Sequence, residues 1–336
     1  MTTNTLRTTA MHHQTGRKLV SILAVLGACA MLSVAQAQNV PPVRMVVGSA
    51  PGGPSDIAAR ILAEKLRTRL NRNVLVENRA GAATRIANAE VKKATPDGTT
   101  LLFSPLGAMT VLPNLFTAKN LGYAPEDFVP VSRVVGIEFL LAAGPNLKVD
   151  GISQFKTFFS QKPELASFAN PGTGTIPNLL AIVLAKHTGV PFRHIAYKGS
   201  SLALNDLMGD HVALAVGTPA EMLEQHKAGK IRVIGTFSEK RSQLLPDVAT
   251  LKEQGVPLAI DDAFGVWAPA GTPKAVIDSV NAAIVNALED PGVKAEFMKL
   301  GFTAASSTPA ELGKIQQEDL KRWNSFIQQA GISMTD

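Results

Sequence analysis

The chain has 336 residues, 46 % of them hydrophobic, with 33 basic against 27 acidic side chains and a single cysteine. Arg17 and Lys18, an apolar run from Leu19 to about Val34 and then Ala35-Gln36-Ala37 form a secretory signal pattern, with cleavage expected after Ala37 and the mature protein exported. That cleavage removes Arg7, Arg17, Lys18 and Cys29, so the formal charge falls from +6 to about +3; nucleic acid is not expected as a partner, and thiol nucleophiles, disulfides and metal–thiolate sites are excluded.

An alternative processing site, Leu26-Gly27-Ala28-Cys29, resembles a lipoprotein signal and would leave Cys29 lipidated. From Val43 the pattern runs strand, helix, strand: "VRMVVGS", a helix from Asp56 to Leu70, "VLVENR", a helical stretch around Ile86 to Lys93, a Pro96-Asp97-Gly98 turn and "TLLFSP". Short apolar strands alternating with amphipathic helices predict a parallel sheet covered on both faces. The alternation returns between about Leu147 and Pro257, in "ASFAN", "PNLLAIVLAKHTG", "FRHIAYK", "LALNDLMG", "HVALAVG", "AEMLEQHKAG" and "IRVIGTF". "VPVSRVVGIEFLLAAGPN" and "PLAIDDAFGVWAPAGTP" lie between the units, extended and apolar, as expected of a chain that leaves one domain and returns to it. The predicted division is residues 38–143 with 260–336 as one domain and 144–259 as the other. Pro273 to Leu300 and Pro309 to Ala330 read as two long helices on the first domain, begun by Thr272-Pro273 and Thr308-Pro309 as N-cap and first-turn proline.

An open α/β sheet binds ligands at the carboxyl ends of its strands, where loops run into helix N-termini. "SAPGGPSD" after the first strand is such a loop; its glycines allow close backbone approach and its helix start favours an anion. The bland reading is that Ser55 or Asp56 caps the helix and the glycines only turn the chain. "NPGTGTIPN", Asn170 to Asn178, offers a matching loop in the second unit. Its "GTG" lacks the third glycine of a dinucleotide fingerprint, Pro177 standing in that place. No nucleophile elbow, zinc-protease or P-loop motif occurs. His187, His194, His211 and His226 lack metal-ligand spacing, and His187 and His226 fall near helix C-termini, where capping is the expected role. Adjacent Asp261 and Asp262 point to opposite faces of an extended segment and are assigned to the hinge surface. Neither a cofactor nor a metal site is expected, and the reading is of a binding protein, not an enzyme.

"PGGPSDIAARILAEKL", "VENRAGA", "PDGTTLLFS", "HIAYKGSSLALNDLMGDHVAL", "AGKIRVIGTFSEKR", "LPDVATLKEQGVP", "APAGTP" and "ELGKIQQEDLKRWNSFIQQAGI" follow one another in order from about Pro41 to Ile332. Together they resemble the Bug family, the extracytoplasmic receptors of tripartite tricarboxylate transporters. The resemblance implies a type II periplasmic-binding fold: two α/β domains joined by two crossing strands, with a ligand cleft between them. It also implies a small carboxylate as ligand (a di- or tricarboxylate, an amino acid or an aromatic acid) and membrane permease subunits as partners. Carried over residue by residue, the first loop supplies Ser49, Pro51, Gly52, Gly53, Ser55 and Asp56, and the second Gly172, Thr173, Gly174 and Thr175. Ser104, Ala108 and Tyr197 with Lys198 are secondary contributors, for which an aromatic at the domain edge and a solvated lysine are the alternative to Tyr197-Lys198.

The sequence departs from the family pattern where "GAGGNIGA" is usual and Gly81-Ala82-Ala83-Thr84-Arg85-Ile86-Ala87 stands. Ala83, Thr84 and Arg85 then bring side chains toward the cleft, with Arg85 either pairing with a second ligand carboxylate or narrowing the pocket, unless it points to solvent. Asn178 replaces a usual histidine and Ala263 a usual tryptophan, whose aromatic wall Phe264 or Trp267 would have to supply. The expected function is a monomeric solute receptor delivering a carboxylate to a permease. A periplasmic sensor signalling to a membrane kinase needs the same binding, and a secreted α/β enzyme would need a nucleophile beside a base, which the sequence does not show.

Overall fold

The computed structural model describes residues 41–332, so the expected signal segment and cleavage site lie outside the described residues. β1 (Val43–Val47), β2 (Val74–Asn78) and β3 (Thr100–Pro105) run parallel, with β1 between the other two. Every β1 residue except Arg44 is buried, as a strand covered on both faces requires. The Pro54–Arg69 helix returns over the sheet, burying Ala58, Ala59, Ile61, Leu62 and Leu66, the stripe that a 3.6-residue period places on one side. β4 (Phe128–Ile137) belongs to the same sheet, and the chain then crosses at Glu138-Phe139 into a second one.

That second sheet holds β5 (Leu140–Ala143), β6 (Ser167–Asn170), β7 (Arg193–Ala196), β8 (Leu214–Gly217) and β9 (Arg232–Thr236), in the order β7-β6-β8-β5-β9. Its intervening helices, Ile176–Thr188, Ser200–Met208 and Pro219–Lys227, occupy the stretches where the alternation predicts them. Phe155, Phe159, Phe168 and Phe192 pack edge to face in its core, with centroids 5.1–6.0 Å apart; each such pair contributes about 0.5–1.5 kcal/mol beyond its buried area.

The chain returns through Ile260 to β10 (Asp262–Pro269), which lies antiparallel between β3 and β4 and completes, with β11 (Phe302–Ala304), the order β11-β4-β10-β3-β1-β2. The two crossings are laced to each other: Phe237 N–H donates to the Phe139 carbonyl (2.9 Å) and Ile260 N–H to that of Phe237 (2.7 Å). β5 falls within residues 38–143, yet it pairs with β8 and β9, so the sheets part between Ile137 and Leu140.

Two details of the carboxyl-terminal helices differ from the expectation. Pro273 to Leu300 is not one helix but two, Lys274–Glu289 and Pro291–Lys299, because Pro291 has no N–H for the ladder and Asp290 before it is extended, accepting instead from Gly292 N–H. Thr272 does not cap: its hydroxyl donates to the Pro269 carbonyl (2.7 Å). Thr308 does, accepting from Glu311 N–H (3.2 Å) while Glu311 accepts from Thr308 N–H (2.7 Å), and the Pro309–Gln329 helix follows.

Candidate functional site

A cavity of about 110 Å³ lies between the two sheets, the volume of about four liquid waters. Its walls are largely apolar, with Leu112, Ile137, Phe139, Ile176, Val216 and Phe264 all contributing. Phe264 supplies the aromatic wall where Ala263 stands. Trp267 does not, because it is fully buried in the first lobe with its indole N–H donating to Gln316 Oε1 (2.9 Å).

Of the expected site residues, Ser49, Ser55, Ala83, Thr84, Ala108 and Thr175 line the cavity, as does the exposed Lys198. Pro51 and Gly52 lie on the exposed crest of the first loop, where Gly52 takes a left-handed φ of 78°, and Gly53 turns the chain with its N–H on the Ala50 carbonyl (3.3 Å). Asp56 faces away from the cavity. Its carboxylate accepts from Gly52 N–H (2.9 Å), Asn78 Nδ2 (2.9 Å) and Arg60 Nε (3.0 Å), so it ties the loop to β2 rather than capping the helix. Burial opposes its ionisation, but those donors, Arg60 foremost, outweigh burial and hold the carboxyl below its ordinary value.

In the second loop Gly172, Thr173 and Gly174 shape the turn without lining the cavity. Gly172 N–H donates to Asn170 Oδ1 (3.2 Å), Gly174 N–H to Asn178 Oδ1 (2.9 Å) and Thr175 Oγ1 to the Gly172 carbonyl (2.7 Å). Asn178 is thus spent on the loop. Ser104 is buried behind the wall, and the Tyr197 hydroxyl donates to Asp206 Oδ2 (2.6 Å), which leaves both outside the lining. Arg85 is also outside it. Its Nε donates to the Ala82 carbonyl (2.9 Å), its Nη1 to that of Asn120 (2.6 Å), and the guanidinium lies 4.2 Å from the Phe116 ring centroid.

Ala83 and Thr84 narrow the cavity instead. Ala82, Ala83 and Thr84 all adopt positive φ (46°, 52° and 73°), a conformation that glycine tolerates and that costs other residues about 1 kcal/mol or more each. Thr84 lies against Gly48 at the end of β1, so closely that a Cβ on Gly48 would stand 2.5 Å from the Thr84 Cβ.

Two acidic residues complete the lining: Asp262, which the sequence assigns to the hinge surface, and Glu221, which nothing in the sequence singles out. Asp262 does not lie on the hinge surface: as alternation along an extended segment demands, Asp261 is exposed and its neighbour turns inward, accepting from Ala263 N–H (2.8 Å) and Gly107 N–H (3.2 Å). Burial pushes its carboxyl up to about 7 against those two donors, with Asp319 and Asp261 adding repulsion. Glu221 comes from the second lobe, where Thr218-Pro219-Ala220-Glu221 opens a helix after β8 and Thr218 N–H donates to Glu221 Oε1 (3.1 Å). Gly217 makes room for this side chain, since a Cβ there would meet Oε1 at 2.6 Å. Glu221 is 9 % exposed, and Oε2 has no hydrogen-bond partner. Burial pushes its carboxyl up to about 7, against the Ser200 hydroxyl and the Thr218 N–H, which favour the ionised form. Ser49 Oγ, Thr84 Oγ1 and Thr218 Oγ1 are likewise buried and unpartnered at the cavity wall. Buried polar atoms of a folded protein are normally paired, so the cavity presents a small set of polar groups suited to a ligand.

His226 does not cap its helix; Nδ1 accepts from Val233 N–H on β9 (3.3 Å). Among the described residues no group of three His, Cys, Asp or Glu side chains could hold a metal ion, and no helix is long and apolar enough to cross a membrane.

The model of the tripartite tricarboxylate transporter family receptor matches residues 58–332. The chain is 32 % identical to the protein BugT of Bordetella pertussis over 295 residues, 87 % of this chain and 90 % of BugT. Its structure is similar to that of the periplasmic binding protein BugD, with a TM-score of 0.83 at 32 % identity over 88 % of this chain and 99 % of that one. It is also similar to that of MatC from Rhodopseudomonas palustris with bound malate, with a TM-score of 0.80 at 27 % identity over 85 % and 99 % of the two chains. Two α/β lobes, two crossing strands and a cleft between them make this a type II periplasmic-binding fold. By sequence and by structure, the chain belongs to the tripartite tricarboxylate transporter receptor family.

Proposed function

We propose that the protein is an extracytoplasmic solute receptor that closes its two lobes on a small carboxylate and delivers it to membrane permease subunits, acting by binding and release without chemistry. The observation that carries this reading is the cavity itself: Ser55 at the start of one helix and Thr175 at the start of another line it from opposite lobes. First-turn N–H groups have no acceptor within their helix, so two helix starts suit the oxygens of one carboxylate. Malate in MatC supports a small carboxylate as ligand. The two lobes, which part at Glu138-Phe139 and again near Ile260, would move on the crossing strands, and the chain would act in the periplasm as a monomer after losing its signal segment.

Thermal melts of residues 38–336, purified free of carried-over solute, against mono-, di- and tricarboxylates, amino acids and aromatic acids test the proposal. A ligand at about a thousand times its Kd adds about 4 kcal/mol, a rise of several degrees. Silence across the whole panel would refute it.

A further inference from the structure

Glu221 lines the cavity from the second lobe, in a stretch of wall that it shares with Gly199, Ser200, Gly217 and Thr218. Its local task is a helix cap: Oε1 accepts from Thr218 N–H (3.1 Å) at the start of the Pro219–Lys227 helix. That task needs one oxygen and no charge, and glutamine serves it as well as glutamate. The same cap recurs at Thr308 and Glu311, where the glutamate is exposed and water can meet what the cap leaves free. Glu221 differs: only 9 % of it is exposed, and Oε2 is buried without a hydrogen-bond partner. The polar groups acting on its carboxylate, the Thr218 N–H and the Ser200 hydroxyl, are both uncharged. Gly217 keeps room for the side chain, since a Cβ there would stand 2.6 Å from Oε1. A buried carboxylate oxygen without a donor is costly, and one at a cavity wall can receive its donor from the solute.

We propose that Glu221 Oε2 is a specificity subsite that accepts a hydrogen bond from the solute, so that the solute is a small carboxylate carrying a hydroxyl or ammonium group as well. The inference rests on the carboxylate-receptor reading and refines it, naming the solute's second functional group and the protein atom that meets it. An unsubstituted acid of the same length leaves Oε2 without a donor and brings its own negative charge into the cavity with Glu221. A hydroxyl or ammonium hydrogen satisfies that oxygen, and an ammonium also offsets its charge. Preference for the substituted acid and rejection of its parent thus arise at the same atom.

The test is titration calorimetry at about pH 8, where Glu221 is mostly ionised, with three sets of matched chain length. These are propionate, lactate and alanine; succinate, malate and aspartate; and butyrate, β-hydroxybutyrate and γ-aminobutyrate. In at least one set the hydroxy or amino acid should bind about 10-fold or more tightly than its parent. Glu221→Gln keeps the oxygen that accepts from Thr218 N–H and puts an amide donor where Oε2 stands, reversing the polarity of one atom at nearly constant shape. The variant should lose the preference, weakening the substituted acid by about 10-fold or more while the parent binds as well or better. A role confined to the cap would weaken every acid alike or none. Parents bound as tightly or more tightly by the wild type in every set, or a preference that the variant keeps, would overturn the subsite and leave the carboxylate receptor standing. Binding of none of these acids would overturn the subsite, and silence across the wider carboxylate panel would overturn the receptor reading with it.

Discussion

Glu221 should make the ligand-free protein less stable as the pH rises through neutrality, and Glu221→Gln should remove that loss. Its carboxyl titrates at about 7 in the folded protein against an ordinary 4.5. The native state therefore holds a proton that the unfolded chain releases between those values, and stability falls across that window and is flat above it. At 1.36 kcal/mol per tenfold change in proton affinity, the loss is under about 1 kcal/mol at pH 5 and about 3 kcal/mol at pH 8. With only 9 % of the residue exposed, solvent screening reduces this little. Asp262, also raised to about 7, adds a loss of the same sign. Carboxyls held below their ordinary values, Asp56 and Glu77 among them, act in the opposite sense only at lower pH. Glutamine mimics the protonated acid, so the variant should match the wild type within about 1 kcal/mol at pH 5 and exceed it by about 3 kcal/mol at pH 8, a melting temperature roughly 6 °C higher. Urea and thermal melts of solute-free protein at the two pH values measure both gaps. A variant no more stable than the wild type at pH 8, or a gap of equal size at both, would refute the reasoning.

Arg85→Ala should change solute affinity less than about threefold by titration calorimetry, because the guanidinium is spent on two carbonyls and Phe116; its loss should appear as about 1 kcal/mol of stability in urea melts. Gly48→Ala should cost about 10-fold or more in affinity in the same titrations, since the new methyl would displace Thr84 from the cavity wall. Gln316→Leu leaves the buried Trp267 N–H without an acceptor and should destabilise the protein by about 1–3 kcal/mol in denaturant melts. Ala82→Gly should be neutral or stabilising by up to about 1 kcal/mol, against the loss of similar size that the exchange causes in an ordinary helix, because φ at Ala82 is 46°.

The sheets and most helices were legible because their signals are local: an apolar run such as "VRMVV" must be buried on both faces, and a stripe such as Ala58, Ile61, Leu62 and Leu66 must face a core. The long helix after Pro273 was over-read because its apolar period continues past Asp290, while Pro291 stops the hydrogen-bond ladder. Both loops were found by their glycines and by resemblance, but which of their residues reach the cavity was not legible, since Asp56 and Asn178 turn back to hold the loops that carry them. Glu221 shows the limit most clearly. Thr-Pro-Ala-Glu occurs at 218–221 and again at 308–311, and in both places the glutamate closes on the threonine N–H. Glu311 is exposed and held below its ordinary value by the Thr308 N–H and hydroxyl, whereas burial drives Glu221 in the opposite direction. The tetrapeptide predicts the cap, and only the surrounding fold decides the charge.

The lacing of the two crossings has a mechanical consequence. Because Phe139, Phe237 and Ile260 are joined in series, the lobes do not hang on two independent tethers; they bend on a single ribbon whose backbone bonds must flex together. Asp262 lies two residues beyond Ile260, on the pivot, while Glu221 rides on the swinging lobe. A solute that touches the swinging lobe exerts a torque about the ribbon, whereas one that touches only Asp262 has no arm to act through. Occupancy and closure are thereby separable, and a molecule that fits the pivot alone would occupy the receptor without shutting it.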